Sequence, residues 1–197
     1  MNKQNKDANS LGKGEKCYIT SPLSYLTIVS LADEFRKLFN IDEHEPLDVI
    51  DLLENKLPEK FEDFDWKIKK SIGGGKLGYI EAINKRIVIT ESTYTGACYD
   101  NVRERFTIAH EIAHLYLMCY HGGEHSKASL CYKNDKAYKF YKDPEWQANN
   151  FAAELLAPIH IIKDMEPVFI AIKFYVSEDT ATFQKEKAKK YLNKINK

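Results

Sequence analysis

Arg103-Glu104-Arg105-Phe106-Thr107-Ile108-Ala109-His110-Glu111-Ile112-Ala113-His114 is the stretch from which the remainder of this 197-residue chain is best read. It contains His-Glu-x-x-His, a pattern associated with zinc metalloproteases. The chemistry follows from helical spacing. Residues four apart lie one turn above each other, roughly 5–6 Å between Cβ atoms, so His110 and His114 can converge on one ion. Glu111 is offset by about 100° from His110 and can reach a water beside that ion without becoming a ligand, which is the position a general base needs. Zinc with an open coordination position lowers the pKa of water to about 7, and a neighbouring carboxylate can accept the proton.

The motif helix must tolerate burial. Val102, Phe106, Ala109, Ala113 and Tyr116 form one apolar stripe, and Ile108, Ile112, Leu115 and Cys119 cover most of the other side. A helix apolar on both flanks belongs in an interior. Two imidazoles and a carboxylate placed there need polar partners, and a metal supplies one. The alternative is an accidental pattern with two satisfied core histidines.

A second helix decides the third ligand. Asp143-Pro144 offers an N-cap and a first-position proline, and Pro158 ends the segment. Glu145, Ala148, Asn149, Ala152, Leu155 and Leu156 fall on one face, while Gln147, Asn150 and Glu154 point the other way. Ala148 and Ala152 are small, so this helix can approach the motif helix closely enough for Glu145 to reach the ion. Glu154 is expected to be a solvated charge. His110, His114 and Glu145 have the ligand count of a catalytic zinc site with one position open. Asn149, one turn beyond Glu145, is read either as orienting a ligand or as only capping buried polar groups. His121 and His125, past the motif helix, are candidates for stabilising an oxyanion. Leu117 and Tyr120 occupy the positions where a metzincin carries glycine and a third histidine, which excludes that class.

Before the motif the period changes to two. Trp66 and Ile68 alternate with lysines, Gly73-Gly74-Gly75 interrupts, and Leu77 to Ile83 and Arg86 to Thr90 follow, predicting a three-stranded antiparallel meander with the glycines in a hairpin turn. The triple glycine lacks the spacing of a phosphate loop. A strand edge beside the motif helix can hold an extended peptide by backbone hydrogen bonds.

The flanks read more simply. Residues 1 to 20 are taken as a mobile tail, followed by a helix capped at Ser21 with Pro22 and running to about Phe39, and a second from Pro46 to Lys56 closed by Pro58. Residues 124–142 are read as a polar loop, or a loop with a short ordered piece. Residues 164 to 193 suggest two helices around a turn at Val176-Ser177. The chain therefore divides into a tail (1–20), a metallopeptidase domain (21–163) and a C-terminal helical appendage (164–197). The fold class is α+β: a zincin-like core with a small antiparallel sheet on the buried motif helix, flanked by N- and C-terminal helices.

Composition narrows the function. Lys plus Arg and Asp plus Glu are 29 each, so the net charge is zero and no bulk attraction to nucleic acid follows. Cys17, Cys98, Cys119 and Cys131 have no C-x-x-C spacing and fit reduced thiols in a cytoplasmic protein. No run approaches the ~18 apolar residues of a membrane span, and the apolar stretch from Leu23 to Ala32 is too amphipathic for a secretory segment.

Arg105-Phe106-Thr107-Ile108-Ala109-His110-Glu111-x-x-His114, together with Glu145-x-x-Ala148-Asn149-x-Phe151-Ala152-x-x-Leu155-Leu156-x-Pro158, resembles the ImmA/IrrE family of metallo-endopeptidases, which is gluzincin-like. The likeness extends back to Tyr79-Ile80 and Ile87-Val88-Ile89, and forward more weakly to Phe174-x-Val176-Ser177-x-x-x-Ala181. It implies zinc ligands at His110, His114 and Glu145, a catalytic Glu111, and a protein substrate such as a helix-turn-helix repressor of a mobile element or stress regulon. Two departures stand out: the 31-position offset from His114 to Glu145 (145 − 114), and Gln184-Lys185 where an arginine is usual. A toxin or immunity-type protease would share the chemistry with another target, and a non-catalytic metal-containing regulator is the further alternative. The C-terminal helices are expected to pack or dock a partner; direct DNA binding through them is the less favoured reading.

Overall fold

The computed structural model describes residues 16–120, 129–132 and 139–195. Strand β1 (Lys16–Ile19) leads to helix α1 (Tyr25–Leu38), short helices α2 (Val49–Asp51) and α3 (Leu57–Lys60), and strands β2 (Asp65–Lys69), β3 (Gly78–Glu81) and β4 (Arg86–Thr90). Helices α4 (Glu91–Cys98) and α5 (Val102–Leu115) follow, then β5 (Ser129–Tyr132), α6 (Pro144–Leu156), α7 (Ile159–Ile162), α8 (Pro167–Phe174) and α9 (Glu178–Ile195). The α+β class expected from sequence holds. No described helix is long and apolar enough to cross a membrane.

Lys16–Ile19, placed in the tail by sequence, instead pairs antiparallel with β5, setting Cys17 opposite Cys131 in the backbone register. Helix α1 begins later than expected. Ser24 caps it by accepting from the Thr27 N–H at 3.1 Å. Thr20 N–H and Leu23 N–H donate instead to the carbonyls of Lys142 and Tyr141, which holds residues 20–23 extended and defeats Ser21 as a cap. In the second helical segment Asp48, not Pro46, supplies the start, its Oδ1 accepting from the N–H groups of Ile50 and Asp51. A π-helical turn at Leu52–Lys56 then precedes α3 and lets the helical path continue through Pro58, which the sequence placed at its end.

The main sheet corrects the predicted meander. Its order is β2-β4-β3, with β3 antiparallel and β2 parallel to β4. Ile87, Val88 and Ile89 are fully buried, and a run buried on both faces belongs in the centre of a sheet, not at its edge. β4 therefore takes the middle. Gly73-Gly74-Gly75 becomes part of the crossover from one edge to the other, and Gly74 and Gly75 adopt φ of 75° and 69°, which glycine accepts at little cost.

Helix α5 lies at the heart of the core. Ile108, Ala109, Ile112 and Ala113 are fully buried, as are Ala148, Phe151, Ala152 and Leu155 of α6 against which α5 packs. The small residues on both helices permit the close approach expected from the sequence. Phe35 of α1 meets Tyr116 and Phe151 edge-on, at ring separations of 4.9 and 5.7 Å. Arg105 ties the start of α5 to its surroundings: it donates to Asp100 Oδ1 at 3.0 Å and to the Leu47 carbonyl at 2.7 Å, with its guanidinium over the Tyr175 ring. The two expected C-terminal helices are α8 and α9. They join the same core through Ile170, Phe174, Val176 and Ala181.

Candidate metal centre

Helix α5 presents His110 and His114 one turn apart, their rings 4.5 Å between centroids and nearly perpendicular. Asn101 caps this helix, its side chain accepting from the Arg103 N–H. Helix α6 brings Glu145 to the same point. Asp143 caps α6 as the sequence indicated, accepting from the Glu145 N–H at 2.9 Å, which fixes the first turn and with it the Glu145 carboxylate. Glu145 Oε2 is 3.3 Å from His110 Nε2, and Oε1 is 3.3 Å from His114 Nε2. One candidate ligand atom from each residue falls within 4.8 Å of the others.

The electrostatics fit a cation site. Hydrogen bonds from the two imidazoles, and then their charges, hold the Glu145 carboxyl far below the usual carboxylate range despite partial burial. For His110, burial works against the charged ring, but the Glu145 hydrogen bond and the charges of Glu111 and Glu145 outweigh it and raise its pKa. Asn149 acts in the same direction. The imidazoles are sheltered, with side chains 16% and 12% exposed, whereas the Glu145 side chain is 66% exposed. Two nitrogens and one carboxylate oxygen, closed on the protein side and open toward solvent, fit a mononuclear divalent ion with room for water or substrate.

Glu111 stands beside the site, 7% exposed. Burial pushes its carboxyl up, opposed by the charges of His114 and His110. Sequence reading missed the residue that makes room for it. A Cβ at Gly78 of β3 would lie 2.9 Å from Glu111 Cγ and 3.1 Å from Oε1, closer than real Cβ contacts allow. Only the pairing of β3 against α5 reveals this role. Gly78, Glu111 and the three candidate ligands line a cleft of about 530 Å³ with Lys76, Leu77, Tyr79, Ile80, Thr107, Met118 and Pro144. Among the described strands β3 pairs with β4 alone, leaving its other edge available along this cleft.

Glu154 is not the solvated charge expected from the helical wheel; it is fully buried. Its Oε2 accepts from Tyr25 Oη at 3.1 Å and Gln184 Nε2 at 3.0 Å, and its Oε1 from the Ile159 N–H at 2.9 Å. Helices α1 and α9 cover Glu154 on the face of α6 that the wheel assigned to solvent. Gln147 and Asn150 are buried there too, Gln147 donating to the Ser21 and Tyr141 carbonyls and Asn150 accepting from Lys187 of α9. Burial raises the Glu154 carboxyl to about 7. Glu154, Asp33 and His160 form a second group with ligand atoms within 4.8 Å, but the donors around Glu154 already occupy its oxygens. His121 and His125 lie outside the described residues.

Two histidines on a buried helix, a carboxylate from a neighbouring helix and a sheltered glutamate beside an open cleft define a mononuclear metal-dependent hydrolase on an α+β scaffold. The family model described as the IrrE N-terminal-like domain, Peptidase_M78, matches residues 80–183, and the chain belongs to this metallopeptidase family. The match spans all four site residues and starts inside β3. No curated protein matches the chain.

Proposed function

We propose that this protein is a zinc-dependent endopeptidase of the cytoplasm that cuts one or a few partner proteins, with a helix-turn-helix repressor as the foremost substrate class. The observation that carries the chemistry is the convergence of His110, His114 and Glu145 beside Glu111, under the open edge of β3. The substrate class rests on the resemblance of the two motif blocks to ImmA/IrrE peptidases. His110 Nε2, His114 Nε2 and the Glu145 carboxylate would hold the ion. Zinc, when bound, supplies Lewis acidity that polarises the scissile carbonyl and makes water a nucleophile near neutral pH.

The protein's own groups supply the other parts of the reaction. The outer edge of β3 offers backbone N–H and C=O groups to an extended segment of substrate, which aligns one carbonyl over the cleft. Glu111 accepts a proton as water forms its bond to the carbonyl carbon. It then returns that proton to the amide nitrogen as the C–N bond breaks, leaving a carboxylic acid and an amine. Its burial favours proton uptake. Asn149 steadies the His110 ring.

The test is cleavage of purified helix-turn-helix repressors, with fragments mapped by mass spectrometry, by zinc-loaded parent and Glu111→Gln protein. Site-specific cutting by the parent alone supports the reading. Intact repressors throughout, with zinc bound, would move the assignment to a non-catalytic metal-containing regulator, and cleavage of an unrelated target to a toxin or immunity-type protease.

A further inference from the structure

The active cleft contains one basic side chain among its described lining residues that the hydrolytic chemistry does not use, Lys76. Its backbone is extended, with φ −68° and ψ 142°, and a bend at Leu77 joins it to β3. Lys76 is exposed and lines the same cleft as Gly78, which abuts Glu111. Among the described residues, Lys67, Lys85 and Arg86 of this sheet region each pair with a carboxylate, while Lys76 has no such ion pair. Leu77, Ile80 and Met118, also lining the cleft, offer its ammonium no counter-ion.

The charge balance of a loaded site gives this lysine a consequence. The carboxylates of Glu111 and Glu145 offset a divalent ion, so Lys76 leaves the cleft net positive, and a field of one sign in a low-dielectric cleft selects the opposite sign in its ligand. We propose that Lys76 is a specificity determinant of the peptidase, pairing with an aspartate or glutamate side chain on the substrate segment held along β3. Antiparallel or parallel, a strand added there presents alternate side chains toward the α5 side, so the acidic residue occupies one fixed position relative to the scissile bond. The glycines that precede Lys76 give its arm the backbone freedom to meet such a side chain.

This inference rests on the peptidase reading, and one experiment separates the two. Parent, Lys76→Met and Lys76→Glu proteins, each checked for equal zinc content and thermal midpoint, are incubated at length with folded helix-turn-helix repressors carrying randomised linkers. New termini are sequenced by mass spectrometry. The parent's cleavage sites should be enriched in Asp or Glu at one position, by about fivefold for an ion pair of about 1 kcal/mol. Lys76→Met should remove the enrichment, so that acidic and neutral residues at that position are cut at equal rates within that variant. Lys76→Glu should replace it with Lys or Arg at the same position. Cleavage by the parent without positional acid preference overturns the inference and leaves the peptidase reading intact. A uniform loss across all linkers in Lys76→Met also overturns it, because the lysine then serves the reaction or the fold instead of selection. A parent that holds zinc and leaves every repressor intact strikes the peptidase reading and takes the inference with it.

Discussion

A β-carbon built on Gly78 would stand 2.9 Å from the Cγ of Glu111, so the edge strand and the motif helix meet with only a hydrogen atom between them. The contact falls on the middle of the glutamate side chain. A methyl group at position 78 must therefore displace Glu111 itself or push β3 away from α5. Either movement disturbs the group assigned to proton transfer without touching a candidate metal ligand.

Gly78→Ala should accordingly keep the metal and lower kcat by about ten- to a hundredfold, the range expected when a catalytic group is misplaced by about 1 Å. Steady-state kinetics on a cleaved substrate, alongside metal analysis, check it. Unchanged kcat in a variant with the parental fold would mean that Glu111 has slack the geometry does not suggest.

Glu111→Gln preserves shape but loses basicity. It should retain metal and fold while cleavage drops by about 10²- to 10⁴-fold. Parental rates of cutting in this variant would remove Glu111 from the proton-transfer role.

Glu154 ties stability to pH. Its folded-state pKa is raised from 4.5 to about 7, so its contribution is fully present below about pH 4.5 and is lost as pH rises through about 7. Thermal unfolding of parent and Glu154→Gln at pH 5 and pH 8 should show the parent losing stability relative to the variant over that interval. Parallel behaviour of the two proteins would show that Glu154 does not titrate there. Glu154→Ala should destabilise at both pH values, because Tyr25, Gln184 and the Ile159 N–H would lose their shared acceptor.

The helices that carry the site were legible because their signals are local. The four-residue histidine spacing, the Asp143-Pro144 start and the small residues Ala148 and Ala152 each act within one or two turns. What failed depends on neighbours distant in sequence. The wheel assigned Glu154 to solvent because it assumed one exposed face, whereas α1 and α9 bury that face and supply hydrogen bonds to the carboxylate. The meander failed for the same reason: alternation identified three strands but not that the most apolar of them, β4, would take the centre. Gly78 carries no sequence signal for its role, since a glycine opening a strand reads as a turn residue until the opposing helix is in place. Ser21-Pro22 has the form of a helix start, yet backbone hydrogen bonds from Thr20 and Leu23 to residues 141–142 override it.

Metal content measured on purified chains tests the central claim most directly. The account predicts about one zinc per chain in the parent, in Glu111→Gln and in Glu154→Gln, and its loss in His110→Ala and Glu145→Ala. Full zinc occupancy in a folded Glu145→Ala protein, or its loss in Glu154→Gln with the fold retained, would contradict the account.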